Sequence, residues 1–266
     1  MIISGAQNID VFPLDRTQWR DTDGDWVGDE QMSDRADGCP TIWGNSTYDR
    51  LGCLDTDGDG YSDPDANWPA KTDCYGADAF PIDPTQWCDE DNDGFGSNTD
   101  GNDADDCPNQ AGSSTEDQKG CPDRDGDGYS NTGDPFPDDG TQWEDSDGDN
   151  YGDNPDGNNP DFFPDDASQW RDADGDGYGD NPGGTTPDAC LNTNGNSTMG
   201  NRYGCTDSDG DGWDDLIDEL PNLKFQWLDQ DGDGFGDNAR GPQPDACPGV
   251  PGTSTIDRHG CVDSDG

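Results

Sequence analysis

The sequence predicts an irregular fold: a tandem array of short repeats with little regular secondary structure, stapled by disulfides and drawn out as an elongated rod. Three observations carry that prediction. A nine-residue acidic loop, plainest in Asp172-Ala-Asp174-Gly-Asp176-Gly-Tyr178-Gly-Asp180, recurs in eight copies from end to end. Ten cysteines fall into five locally spaced pairs. Thirty-nine Gly and 20 Pro punctuate every segment, so no window supports a helix of usual length. Asp214 to Leu220 is the best helical candidate, one or two turns before Pro221.

Composition sets the outer limits. Only 26% of the 266 residues are hydrophobic, and the formal net charge is −51. By itself that composition describes a disordered polyanion. An ordered chain must offset a backbone entropy of about 1–2 kcal/mol per residue by something other than apolar burial. Bound cations and cross-links are the available means. Twelve basic residues against 63 acidic ones argue against nucleic acid and anionic membrane surfaces as partners, because both need basic patches. No apolar run reaches the roughly 18 residues of a membrane span, and Met1 to Gln7 is too short for a signal peptide.

The eight loops set out a ligand set for a hard cation. Positions 1, 3 and 5 are Asp21, Asp23 and Asp25; Asp55, Asp57 and Asp59; Asp89, Asp91 and Asp93; Asp123, Asp125 and Asp127. They continue as Asp145, Asp147 and Asp149; Asp172, Asp174 and Asp176; Asp207, Asp209 and Asp211; Asp229, Asp231 and Asp233. Position 9 adds Asp29, Asp63, Asn131, Asp153, Asp180, Asp215 and Asp237, with Ser97 in the remaining loop. Calcium takes six to eight oxygens, with one commonly from the carbonyl at position 7, and Gly at position 6 permits the sharp turn. Position 7 is aromatic in every loop but one, where it is Val27. Position 6 departs from Gly at Trp26 and Asn150. Magnesium fits less well, since it demands tight octahedral geometry and keeps its waters.

The cysteines are Cys39/Cys53, Cys74/Cys88, Cys107/Cys121 and Cys247/Cys261, all fourteen apart, and Cys190/Cys205, fifteen apart. Constant local spacing favours pairing within each unit. Each such loop is worth roughly 3 kcal/mol in the chain-entropy model. Structural zinc wants C-x₂₋₄-C spacing and His ligands; that spacing is absent and His259 is the only histidine. Disulfides imply an oxidising, extracellular or cell-surface setting.

Each unit ends in Trp or Cys, and the next loop starts two residues later. One closure reads D-x-F-P-x-D-x-x-Q-W, as from Asp161 to Trp170; the other reads D-x-C-P and runs on to G-C, as from Asp245 to Cys261. Trp and disulfide therefore occupy the same place in the repeat. The closing Asp is expected to complete each site. It stands at position 12 in the short units (Asp134, Asp218) and sixteen residues after the first Asp in Asp37, Asp105, Asp161, Asp188 and Asp245. The constant spacing implies an excursion that leaves the ion and returns to it. The unit at Asp55 is irregular, with Asp78 far downstream, an added disulfide and Asp65 as an alternative ligand. The second Asp of the Trp closure (Asp15, Asp83, Asp139, Asp166) suggests a bridging carboxylate, hence about one to two calcium ions per repeat.

The D-x-D-G-D-G-x-x-D loops with D-x-C-P closures resemble thrombospondin type 3 repeats, and the D-x-F-P-x-D-x-x-Q-W closure is similar to arrays in large secreted or surface proteins of archaea and bacteria. The match runs over residues 10–266, with Trp26, Asn150, Ser97 and Leu223 breaking the motif. The resemblance implies a chain wrapped around calcium and dependent on it to fold, in an adhesive, matrix or surface protein. It assigns ligand roles to the aspartates already named.

The array divides into a partial repeat at 1–20, eight repeats over 21–261 and the start of another at 262–266. Those ends are complementary halves of one repeat, which suggests head-to-tail self-association, with Met1 to Ile3 as a plug, or attachment to another surface or matrix protein. Enzyme activity is not expected: paired carboxylates occur everywhere here by composition, and no apolar cleft tunes them. The sequence reads as a calcium-stiffened structural rod, a segment or subunit of a surface fibre, with a calcium-dependent adhesin or a surface calcium-binding module of a larger secreted protein as the alternative. The recurring Trp closures favour packing between consecutive units, as with Trp170, over carbohydrate platforms. Asn45-Ser-Thr47 and Asn196-Ser-Thr198 are glycosylation sequons.

Overall fold

Each acidic loop folds into a cup closed by its own backbone. The computed structural model describes residues 10–264, so the expectations on Met1 to Ile3 and on Asp265 and Gly266 fall outside it. The chain divides into two units, Met1–Gly140 and Thr141–Gly266, each holding four of the loops. Among the described residues there is no helix and no extended strand, only turns and isolated bridges such as Gly179 to Pro187. The helical candidate at Asp214 is a single turn, in which the amides of Ile217 and Asp218 both donate to the Asp214 carbonyl at 2.9 Å.

The cup begins with the position 1 carboxylate. Asp172 Oδ1 accepts the Gly175 amide at 2.7 Å and Oδ2 the Gly177 amide at 2.8 Å. The other seven first aspartates make the same pair of bonds. That wrapping puts position 6 in the left-handed region, which explains its preference for Gly. Trp26 and Asn150 adopt the same conformation, at φ 75° and 74°.

Position 9 is the clasp. The Asp180 amide donates to the Arg171 carbonyl at 2.8 Å, and Asp180 Oδ1 accepts the Ala173 amide at 3.1 Å. Any side-chain acceptor can do this. Ser97 Oγ accepts the Glu90 amide at 3.0 Å, and Asn131 Oδ1 the Arg124 amide at 2.9 Å.

The chain then makes its excursion and returns. In all eight units the amide of the closing Asp donates to the carbonyl of position 8, from Asp37 on Gly28 to Asp245 on Gly236. Asp134 and Asp218 do so after one turn, while Asp78 reaches Ser62 across the irregular stretch. Variable length is thus confined to a closed side loop.

The interior is polar. Among the described residues the buried hydrophobic side chains are five cysteines and Ala77. The largest fully buried side chains include Gln86, Gln142, Gln169 and Gln226, each the residue before a closing Trp. Gln169 donates from Nε2 to the Asn181 and Thr185 carbonyls at 3.0 and 3.2 Å and accepts the Asn181 amide at 2.9 Å. It therefore anchors the excursion of the next loop. A Cβ added at Gly28, Gly96, Gly152, Gly179 or Gly236 would overlap the carboxamide of Gln18, Gln86, Gln142, Gln169 or Gln226. Position 8 is Gly after every Gln-Trp for that reason. After a disulfide closure it is Ser62, Ser130 or Asp214; the serines bond Asp49 and Asp117, and Asp214 pairs with Arg202.

Three expectations are corrected here. Three of the closing rings stack within their own unit rather than between consecutive units. Trp87 stacks on Tyr61, Trp170 on Tyr151 and Trp227 on Trp213, at centroid distances of 5.4, 5.1 and 5.8 Å, in each case on position 7 of their own unit. The rings stay half-buried, while the neighbouring Gln is wholly buried. Nor does the disulfide take the place of Trp within the closure. The Trp170 carbonyl accepts the Phe162 amide, and the matching acceptors in the cysteine closures are Leu51, Lys119, Tyr203 and His259, two residues before the second Cys. Tyr203 and His259 stack on Tyr178 and Phe235 as Trp does elsewhere.

The third correction concerns Cys74 and Cys88, whose spacing matches the other pairs but whose place does not. Their bridge forms, yet it closes no unit: the Asp55 unit ends in Gln86-Trp87, and Cys88 comes one residue later, directly before Asp89. Cys88 is buried in that link, and its carbonyl accepts the Ser97 amide at 2.9 Å, the same bond that Arg171 makes with the clasp Asp180. Cys74 lies in the irregular excursion before Asp78, so the bridge ties that excursion across Asp78 to the entrance of the Asp89 cup. Pairing is therefore within a unit at four places and across the junction of two at the fifth.

Replacing Gln169 by Ala removes the three part-buried hydrogen bonds of its buried carboxamide, an expected loss of about 1–3 kcal/mol. Hydrogen exchange should quicken at Asn181 to Thr185 and leave the Asp207 loop unchanged. Unaltered protection at Gly184 in the variant would contradict the anchoring role.

Candidate metal centres

Carboxylates converge in every cup. The oxygens of Asp21, Asp23 and Asp25 lie within 4.8 Å of one another, as do those of the triads at Asp55, Asp89, Asp123 and Asp145, and three further groups of acidic or other ligating residues meet the same test. Among the described residues, none of the six Arg or Lys pairs with Asp reaches positions 1, 3 or 5 or a closing Asp; Arg20 and Arg171 pair with the clasps Asp29 and Asp180.

The strongest sign of a ligand is what these carboxylates lack. Among the described residues, the buried side-chain oxygens without a hydrogen-bond partner all belong to aspartates. Both oxygens of Asp23, Asp91, Asp125 and Asp174 at position 3 are bare, as is one oxygen each of Asp57, Asp147 and Asp209. Position 5 turns Oδ1 to the amide of position 7, as Asp176 does to Tyr178 at 2.9 Å. Its Oδ2 is bare in Asp59, Asp127, Asp149 and Asp211. In the units closed by D-x-C-P, that oxygen of Asp25, Asp93, Asp176 and Asp233 accepts an amide from Gly44, Gly112, Gly195 or Gly252, at 2.8–3.4 Å. The carbonyls of Val27, Tyr61, Phe95, Tyr151, Tyr178, Trp213 and Phe235 accept no hydrogen bond among the described residues.

The closing Asp faces the same point. Its Oδ1 accepts the amide two residues on, as Asp188 does from Cys190 at 2.6 Å, and Oδ2 is bare in Asp37, Asp78, Asp105, Asp161, Asp188 and Asp245. A Cβ on Gly52 would lie 2.7 Å from Asp37 Oδ1 and 2.8 Å from Asp25 Oδ2, so positions 5 and closing meet there. Gly120, Gly204 and Gly260 stand at the matching place, each with positive φ and each against its own pair of carboxylates.

The irregular unit resolves in favour of Asp78. Asp78 is buried among Asp59, Asp57 and Asp63, whereas Asp65 is half-exposed and bonded to Arg50 at 2.6 Å. Arg50 supplies Asp65 with the charge partner that a bound ion would otherwise provide. The second aspartates Asp15, Asp83 and Asp166 each take the amide and hydroxyl of the Thr or Ser two residues on, which makes them turn formers. Asp83 also adds its charge to the surroundings of Asp57.

Five disulfides form, Cys39–Cys53, Cys74–Cys88, Cys107–Cys121, Cys190–Cys205 and Cys247–Cys261, with Cα–Cα distances of 5.0–5.3 Å and no free cysteine. Asn45 and Asn196 are exposed or nearly so, but the Ser-Thr that comes after each has a structural task. Ser46 and Ser197 are buried, with Oγ accepting the Cys53 and Cys205 amides, and Ser114 does the same for Cys121 without any Asn before it. The fold alone accounts for Ser-Thr at those places.

Burial, assisted by like charges at positions 3 and 5, pushes several closing carboxyls upward. Asp37, Asp105, Asp161 and Asp218 rise to about 6 and Asp78 to about 7. All-oxygen donors, uncompensated negative charge and bare buried lone pairs fit a hard divalent cation. The residues that would hold it are positions 1, 3 and 5, the position 7 carbonyl and the closing Asp; position 9, also expected as a ligand, is engaged as the clasp, with a bare buried oxygen at Asp237 Oδ1.

Sequence reasoning passed over the Gln of Gln-Trp and the Gly of Gly-Cys. Both stand in the closure motifs, and their signal was recurrence at a fixed place beside a residue that took the attention. No protein-family model matches this chain, and no curated protein matches it either.

Acid should act in opposite directions on the two forms. Without metal, the folded carboxyls titrate above the unfolded value near 3.8, so their stabilising contribution is present below that value and is lost as pH rises through about 6 to 7. With metal, those groups must be deprotonated, so affinity should fall as pH drops from about 7 to 5, with protons released on binding. Calorimetry in buffers of different ionisation enthalpy checks this; proton-independent affinity across that range would contradict it.

Proposed function

We propose that this chain is an extracellular structural module of tandem calcium-binding repeats, similar to thrombospondin type 3 repeats, in which bound calcium replaces the hydrophobic core. The observation that carries the reading is the set of buried Asp oxygens with no partner, repeated at positions 3 and closing along the chain. An unpaired buried charge is costly, and a cation at that point supplies both the charge and the coordination the protein withholds. Oxygen donors contributed by a pliable loop favour calcium over magnesium. Five disulfides are consistent with an oxidising compartment, and among the described residues no helix is long and apolar enough to cross a membrane.

The module's task in this reading is mechanical. Calcium stiffens successive repeats into a spacer or fibre segment of a surface or matrix protein, and no catalytic step is assigned to it. Binding free energy becomes folding free energy, because a preformed site rarely exists in an unfolded chain. Chelation should therefore abolish the near-UV circular dichroism of the aromatic stacks while the disulfides stay intact, and calcium should restore it. Elemental analysis of the purified chain should return about one calcium or more per loop. A near-UV spectrum unchanged in excess chelator would contradict the proposal.

A further inference from the structure

Nine tryptophans stand in this chain, and among the described residues two of those that close no repeat have neither a stacking partner nor an acceptor for the indole N–H. Five close repeats. Trp213 stacks on Trp227, and Trp68 donates its indole N–H to Asp49 at 3.0 Å beneath Arg50 and Lys71. Trp26 and Trp43 remain, 77% and 56% exposed. Among the described residues no ring stacks on either, and neither indole N–H has an acceptor. Both line one cavity of about 420 Å³, a volume suited to a small ligand, together with Phe12, Asp15, Arg35 and Asn45.

The repeat is its own control. Position 6, where Trp26 stands, is Gly in six of the other seven loops, and Trp26 is held at a φ of 75° that L side chains rarely adopt. Trp43 precedes Gly44, and the residues that precede the matching Gly112, Gly195 and Gly252 are Ala111, Asn194 and Pro251. Two departures from the repeat therefore fall in the same unit and open on the same cavity. Both rings keep more than half of their surface open to solvent. A strained, exposed aromatic that the fold does not need is the kind of outlier from which a functional hypothesis can be drawn.

We propose that the cleft bordered by Trp26 and Trp43 binds a neutral saccharide. Indole faces suit the apolar face of a sugar ring, while Asp15, Arg35 and Asn45 offer both acceptors and donors to its hydroxyls. Asp15 commits only Oδ1 to Thr17, which leaves the other oxygen for a ligand. The chain's formal charge of −51 repels acidic glycans. Arg35 at the cleft competes with any cation, which disfavours an ammonium held between aromatic rings. The cleft rests on the Asp21 loop, ordered by calcium in the reading proposed above, so calcium is present throughout the test.

The test uses the full chain in calcium, titrated calorimetrically with cellohexaose, chitohexaose and mannohexaose, and with choline and a sulfated hexasaccharide as charged probes. Its comparison is the double variant Trp26→Gly, Trp43→Ala, which installs residues the chain itself uses at those places. At least one neutral oligosaccharide should bind the parent and lose affinity about tenfold or more in the variant. Hydrogen-exchange protection of the other loops should be retained, which separates loss of the cleft from loss of calcium-dependent folding. Silence with all three neutral oligosaccharides, tighter binding of either charged probe, or equal affinity in the variant would each overturn the proposal.

Discussion

Carboxylates of like charge held around a common point are the constraint on which this structure depends. An ordinary domain buries apolar surface to offset chain entropy; here, among the described residues, the buried hydrophobic side chains are nearly all half-cystines. What the fold buries instead is acid, with few internal counter-charges. In the absence of a cation, proximity of Asp25 and Asp23 to Asp37 is a cost that adds to burial, visible as a carboxyl driven up to about 6. With a cation, the same proximity becomes the coordination shell. The sign of the interaction depends on the ion.

Everything else in the repeat delivers those oxygens to one place. Position 1 spends both oxygens on the amides of positions 4 and 6 and so shapes the cup. Position 9 closes it, which is why a hydroxyl at Ser97 or an amide at Asn131 can replace a carboxylate there. The bond from the closing amide to the position 8 carbonyl lets the chain wander and still return. Insertions of very different length, from the single turn before Asp134 to the long detour before Asp78, thus leave the centre alone.

The two closures are two solutions to one local problem. After Gln-Trp, a buried carboxamide fills the space behind position 8 and holds the next excursion, which forces Gly there. After a disulfide, a Ser or Asp at position 8 bonds back to the cysteine loop, or to Arg202 within it. The disulfide loop also lends a Gly amide to the position 5 carboxylate, as Gly195 does to Asp176 at 3.1 Å. Side chains of the disulfide loop and the hydrogen-bonded Gln each tie one cup to the next stretch of chain, with different consequences for how bare the acidic oxygens are. The Cys74–Cys88 bridge stands apart from both, since it fastens a long excursion to a junction that already has its Gln-Trp.

By itself the sequence determined the period of the repeat, the acidic triads at positions 1, 3 and 5, the cysteine pairing and the want of helix and strand. Those are properties of local spacing: an Asp at 1, 3 and 5 with a left-handed residue at 6 can fold in few ways, and a 14-residue separation brings two cysteines together within one loop. The tertiary structure decided the division of labour among residues that look alike. It made position 9 a clasp, gave the distant site to Asp78 over Asp65, placed Trp170 on Tyr151 and made Gln169 the buried anchor. It carried the Cys74–Cys88 bridge across the junction of two units, where constant spacing suggested pairing within one. It also left Trp26 and Trp43 without partners. None of this was legible from composition, because in a chain with 63 acidic residues every Asp has the same chemistry on paper. Only the donors that reach each oxygen tell a turn former from a ligand, and those donors come from residues far enough along the chain that folding must bring them there.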